Sequence, residues 1–236
     1  MSNIKRIGII GAMKSEMDAI KAVIRDPEKE VISGIEFIKG SLEGVPVVVA
    51  TCGIGKVFAG MCAQTMILKY QPELMINVGV AGSLTPELNI GDIAVADCVV
   101  QHDMDSRGLG DPIGMISGIN VIDIFCDESV VDDMMKSAGG LGYHRVKGRI
   151  ASGDIFVKDK ERKDYINKHF PSIACEMEGG ALGQVCYVNK IPFCILRAIS
   201  DNGDENATGD YGMSLEMAAD RATQVLLNYL SARSGS

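Results

Sequence analysis

Tryptophan is absent from the 236 residues, and Phe and Tyr supply an aromatic content of only 5%. A chain so poor in rings lacks the stacking platforms that hold single-stranded nucleic acid. Blocks of Lys and Arg are missing too. The formal charge is −8, and an acidic chain repels phosphate backbones, so nucleic acid is not an expected partner. No apolar run reaches membrane-spanning length, and the opening "KRIGIIGA" is too short and wrongly flanked for a signal peptide. CxxC pairs do not occur. The seven cysteines, at 52, 62, 98, 126, 175, 186 and 194, are odd in number and mostly set in apolar runs. Buried reduced thiols account for them better than disulfides or zinc. A soluble, cytoplasmic protein with no membrane partner is expected.

Two nucleotide signatures are also lacking. "GIIGAMKSE" (8–16) ends a strand-like run and opens a helix without the G-x-G-x-x-G spacing of a dinucleotide site. "TCGIGKVFAG" (51–60) places Val57 after Gly55 and Lys56, where a phosphate-binding loop needs Ser or Thr. "QHDMDSRG" (101–108) offers His102, Asp103 and Asp105, but two of these are adjacent and no further ligand stands in matching context, so a polar rim is expected there and no metal.

What the chain does contain is 47% hydrophobic residues and 27 glycines, enough for a substantial core with tight strand-to-helix turns. β-branched runs at 7–10, 45–50, 74–78, 93–100, 146–151, 173–175 and 191–199 read as strands, several apolar on both faces. Helical spacing fills 15–25, 57–70, 128–138, 160–169, 179–189 and 214–231. Alternation of this kind predicts a three-layer α/β/α sandwich with a mixed central sheet, in one domain over 1–236. The ordered core is expected at about 4–230 and a frayed tail at 231–236. Residues 35–49 predict an antiparallel hairpin in the same sheet. Irregular stretches are expected at 103–120 and 201–212, both after strands, where open α/β folds bind ligands.

"IACEMEGGAL" (173–182) sets Glu176 and Glu178 in an apolar run, where an unpaired carboxylate costs several kcal/mol. In "LRAISDNGD" (196–204), Arg197 sits among apolar neighbours and demands a carboxylate, with Glu176 the candidate if the two strands are adjacent. Alone, Glu16 on a first helical turn serves the helix dipole, and Asp201 at a strand end is a turn former. Together, Glu16, Glu178 and Asp201 fall after three separate strands, the arrangement of one shared pocket.

In order and spacing, "GIIGAMKSEM", "TCGIGKV", "INVGVAGSL", "GDIAVAD", "ASGDIFV", "ACEMEGGAL" and "RAISD" resemble the 5′-methylthioadenosine/S-adenosylhomocysteine nucleosidases of the nucleoside phosphorylase superfamily. The resemblance spans about residues 4–230. It implies a nucleoside phosphorylase-like fold, a homodimer, and hydrolysis of an adenine nucleoside (5′-deoxyadenosine included) by water, without cofactor or metal, in methionine salvage and the methyl cycle. It further implies Glu16 as general base, Asp201 as proton donor to adenine N7, and Glu178 on the ribose hydroxyls. Met177 would face the sugar, Phe156 would stack on adenine, and the Val157 backbone would read the base edge. Ala81, Gly82 and Ser200 would line the site, Met13 and Ile54 would wall the 5′-thio group, and Glu176 with Arg197 would form a supporting ion pair.

Two departures stand out: Val80 replaces a frequent Ser, and Leu109, Pro112 and Met115 replace the loop aromatics that contact the 5′ tail. The rival readings are a purine nucleoside phosphorylase, a futalosine-type nucleosidase on the same fold, and a catalytically silent nucleoside-binding protein. Phosphorolysis calls for cations around phosphate, whereas "GAMKSE" puts Glu16 where the nucleophile would approach.

Overall fold

The computed structural model describes residues 6–234. At its centre lies β5 (Leu74–Ser83), buried at all ten positions because neighbours cover both of its faces. Its first half pairs in parallel with β1 (Ile7–Gly11), which in turn pairs with β4 (Val45–Thr51). Along its other edge β5 pairs in parallel with β10 (Phe193–Asp201), and at its far end Gly82 and Ser83 pair with β9 (Ala174–Glu176) running the other way. From β9 the sheet continues through β8 (Arg145–Ser152) and β6 (Ile93–Gln101) back to β10. The mixed sheet is therefore partly closed upon itself. At the open end, β3 (Ile35–Leu42) forms the expected hairpin with β4, and β2 (Arg25–Ile32) is the edge. A two-residue strand, β7 (Ile124–Phe125), lies against β6.

Two sets of helices cover this sheet. α2 (Lys56–Tyr70) packs on α5 (Gly179–Asn189), while α6 (Ala207–Ser234) packs on α1 (Lys14–Ala22) and α3 (Glu128–Gly140). α4 (Lys160–His169) sits apart, its Ile166 seated in a small apolar cluster with Leu84, Val157, Phe170 and Cys175. All seven cysteines are buried and unpaired. Among the described residues no helix is long and apolar enough to cross a membrane.

Four expectations change. The first helix stops at Ala22, and Arg25 opens β2 instead of ending a helix. The stretch 201–212 is irregular only to residue 206, because α6 begins at Ala207. The chain is helical through Ser234, so the expected frayed tail applies at most to 235–236, which lie outside the described residues. Finally, β9 and β10 are not adjacent. Both flank β5, so Arg197 must reach across that strand to meet Glu176.

Candidate active site

The C-terminal ends of β1, β5 and β10 open into a cavity of about 520 Å³, a volume suited to a small ligand of nucleoside size. Glu16, Glu178 and Asp201 all line it. So do Met13, Ile54, Val80, Ala81, Gly82, Phe156, Val157, Glu176, Met177 and Ser200. Arg197 lies behind the wall, 1% exposed.

Glu16 leaves the first turn of α1 and folds back toward the strand ends. Its Oε2 accepts the N–H groups of Ala12 and Met13, both at 2.9 Å, and its Oε1 accepts that of Val80 at 3.0 Å. Burial raises its pKa; the Arg197 charge and these three donors oppose the rise. Val80 thus serves through its backbone, which explains how a residue without a hydroxyl fits at this position.

Glu176 is saturated. It pairs with Arg197, accepts Ser152 Oγ, and accepts the N–H groups of Glu178 (3.0 Å) and Gly179 (2.7 Å). Burial works against its ionisation, but Arg197 and these donors outweigh it and hold the carboxyl below its ordinary value. Glu178, at the N-cap of α5, accepts the Gly55 N–H at 2.8 Å and stands 3.7 Å from Arg197. Burial, then the neighbouring Glu176 charge, lifts its carboxyl to about 7. A single guanidinium is shared among three carboxylates, and Glu176 holds most of it. The opening for this arrangement is Gly79, the residue of β5 paired with Arg197. A Cβ there would collide with Arg197 Nη1 and with Glu16 Oε1.

Asp201 ends β10 on the opposite side. Its Oδ1 accepts the Gly203 N–H at 2.9 Å, and its Oδ2 lies 2.8 Å from Ser200 Oγ, which is also 3.3 Å from the Ala81 carbonyl. Burial raises its pKa against these two hydrogen bonds, and the carboxylates of Asp210 and Asp204 add to the rise. Gly82 is bare because a Cβ would come within 2.8 Å of Asp201 Oδ1.

Of the polar rim expected at 102–105, the two aspartates are engaged within the protein, while His102 is buried with neither ring nitrogen hydrogen-bonded among the described residues. Asp103 pairs with Lys56 at 2.7 Å, and Asp105 pairs with Arg107. Among the described residues no group of three or more His, Cys, Asp or Glu side chains could hold a metal ion. The expected tail contacts Leu109, Pro112 and Met115 do not line the cavity. α6 lines the cavity there instead, through Thr208 and Tyr211. The Tyr211 hydroxyl donates to Met13 Sδ at 3.1 Å, and its ring meets Phe156 edge-on with centroids 5.7 Å apart. Both residues were hidden inside "DENATGDYG", whose glycines mask the helical spacing.

This fold and this cavity define a member of the phosphorylase superfamily, whose profile matches residues 6–231. A curated 5′-methylthioadenosine/S-adenosylhomocysteine nucleosidase from Shewanella loihica is 37% identical over 227 residues, covering 95% of this chain and 98% of its own. The solved nucleosidase of Neisseria meningitidis, in complex with methylthio-immucillin-A, superposes with a TM-score of 0.93 at 30% identity, over 97% and 99% of the two chains. Futalosine hydrolase of Helicobacter pylori gives 0.92 at 35% identity, over 97% and 98%. The chain belongs to the 5′-methylthioadenosine/S-adenosylhomocysteine nucleosidase family.

Proposed function

We infer that this protein hydrolyses the N-glycosidic bond of 5′-methylthioadenosine and S-adenosylhomocysteine, releasing adenine and the 5′-substituted ribose. The observation that carries the reading is the convergence of Glu16, Glu178 and Asp201, from three separate elements, on one cavity. Breaking the bond from C1′ to N9 leaves positive charge on the sugar and sends the electron pair to the base. Asp201, whose pKa burial raises, delivers its proton to adenine N7 and makes the base a tolerable leaving group. Glu16 takes a proton from the water whose oxygen bonds to C1′. Glu178 holds the ribose hydroxyls, and its charge favours the cationic sugar.

The remaining wall has binding roles in this proposal. Phe156 stacks on adenine, the Val157 backbone reads its edge, and Ala81, Gly82 and Ser200 frame Asp201. Met177 lies against the sugar, Met13 and Ile54 against the 5′ substituent. Glu176 and Arg197 support the base from behind. Water is the nucleophile because a carboxylate stands where phosphate would sit. Among the described lining residues the one cation is Lys158, and Arg197 is committed to Glu176.

Adenine released from methylthioadenosine, followed by chromatography with and without inorganic phosphate, tests this. The rate should be the same in both. A requirement for phosphate, with 5-methylthioribose 1-phosphate as product, would make the protein a phosphorylase, and binding without release would make it a silent module. Including S-adenosylhomocysteine and 5′-deoxyadenosine in the panel ranks the 5′ substituent on one base, and futalosine, which also changes the base, tests the rival reading that futalosine hydrolase of similar sequence makes worth measuring.

We further propose that it works as a homodimer. Val57, Met61 and Leu68 share one face of α2 and are exposed. Phe58 is exposed beside them, as are Tyr187 and Val188 on the adjoining α5. An apolar surface of this extent on neighbouring helices is characteristic of association sites. Light scattering after size exclusion should give twice the protomer mass. A monomer at micromolar concentration would refute the assignment.

A further inference from the structure

Behind Asp201, on the side away from the cavity, Lys163 of α4 donates from Nζ to the carbonyl oxygens of Ser83 (3.0 Å) and Asn202 (2.6 Å). Ser83 ends β5, and Asn202 immediately follows Asp201. The next residue, Gly203, is the one whose N–H grips Asp201 Oδ1, and a Cβ on it would lie 3.3 Å from that same Ser83 carbonyl. One ammonium therefore ties the end of β5 to the turn after β10 that aims the acid. Lys163 can do this because α4 is anchored by Ile166 in the small apolar cluster that also contains Val157. One turn further along the same helical face, Asn167 donates to the Leu84 carbonyl at 3.0 Å, a second clamp that does not reach the acid's turn.

We propose that Lys163 is a positioning residue for Asp201, fixing the direction in which the proton is delivered to the leaving base. The proposal rests on the reading of Asp201 as the acid. A misplacement of about 1 Å can cost on the order of 10² in rate, so the contribution belongs in kcat, with little effect on the binding of substrate.

The test compares two leaving groups on one methylthioribosyl sugar. Adenine needs a proton to depart, whereas 4-nitrophenolate leaves without one. Lys163→Met should lower kcat for methylthioadenosine roughly 10- to 100-fold while KM stays within about twofold, and turnover of the 4-nitrophenyl riboside should be unchanged. Lys163→Arg, which keeps two donors, should recover most of the adenine rate, and Asn167→Ala should leave both rates intact. Equal loss on both substrates, no loss on either, or the same selective loss in Asn167→Ala overturns the proposal. Should Lys163→Met be insoluble, Lys163→Gln takes its place under the same outcomes. Asp201→Asn run in parallel separates the two layers. If it lost both substrates equally, the acid assignment itself would fall; if it alone were selective, only the role of Lys163 would.

Discussion

Replacing Asp201 with asparagine should leave a folded protein that releases adenine slower by on the order of 10² to 10⁴. Asparagine has the same shape. Its Oδ1 can still accept the Gly203 N–H, and its amide can donate to Ser200 Oγ, which is free to turn its own proton to the Ala81 carbonyl. What it lacks is an acidic proton for the departing base. The pH dependence gives a second readout. A group that must be protonated loses its function as pH rises through its pKa, and burial with Asp204 and Asp210 nearby places that value above the ordinary carboxylate range. The alkaline fall of kcat/KM in the parent should therefore vanish in Asp201→Asn, leaving a low, flat limb. A variant with near-parental turnover would show that some other group protonates the base.

Glu16→Gln should cause a loss of similar size, on the order of 10² to 10⁴, for the opposite reason. The base must be ionised, so its function is lost as pH falls through its pKa, and it is the acidic limb that should disappear. Burial raises this carboxyl too, but Arg197 opposes the rise, whereas acidic neighbours reinforce it at Asp201. Gln also carries a structural penalty. With its oxygen on Ala12 and Met13, its amide must face the Val80 N–H, a donor against a donor. One buried donor left without a partner costs about 1–3 kcal/mol, so a lower Tm should accompany the kinetic loss. Thermal melts and pH profiles on the same samples distinguish the two. A variant of lower Tm but intact kcat/KM would exclude Glu16 as the base.

Much of this site can be read from the chain because its chemistry needs residues that a core avoids. Two acids in "IACEMEGGAL" and an arginine in "LRAISD" stand out against apolar neighbours, and the pairing of Glu176 with Arg197 follows from charge alone. The path of that pairing does not. Nothing local in "INVGVAGS" distinguishes a glycine that admits a guanidinium from one that admits a ligand or a helix, and Gly79 does the first. β2 escaped for another reason. "RDPEKEVI" is exposed almost throughout and bears charges on both faces, so no alternation marks it. Its strand form comes from pairing with β3 and from ion pairs such as Glu28 with Lys39. The start of α6 was obscured by Gly209 and Gly212, at neither of which would a Cβ meet anything within 4 Å. With that start went Thr208 and Tyr211, the wall that was assigned instead to the loop 103–120.

The bare backbone at Gly79 has a consequence beyond fit. Because Arg197 crosses β5 there from β10, one cation answers to anions along the strand's opposite edge, Glu16 near β1 and the glutamate pair at the end of β9. Their proton affinities are linked, and neither side has a private pKa. In the proposed binding mode, a sugar seated on Glu178 would therefore alter the electrostatic setting of Glu16 before any water is touched.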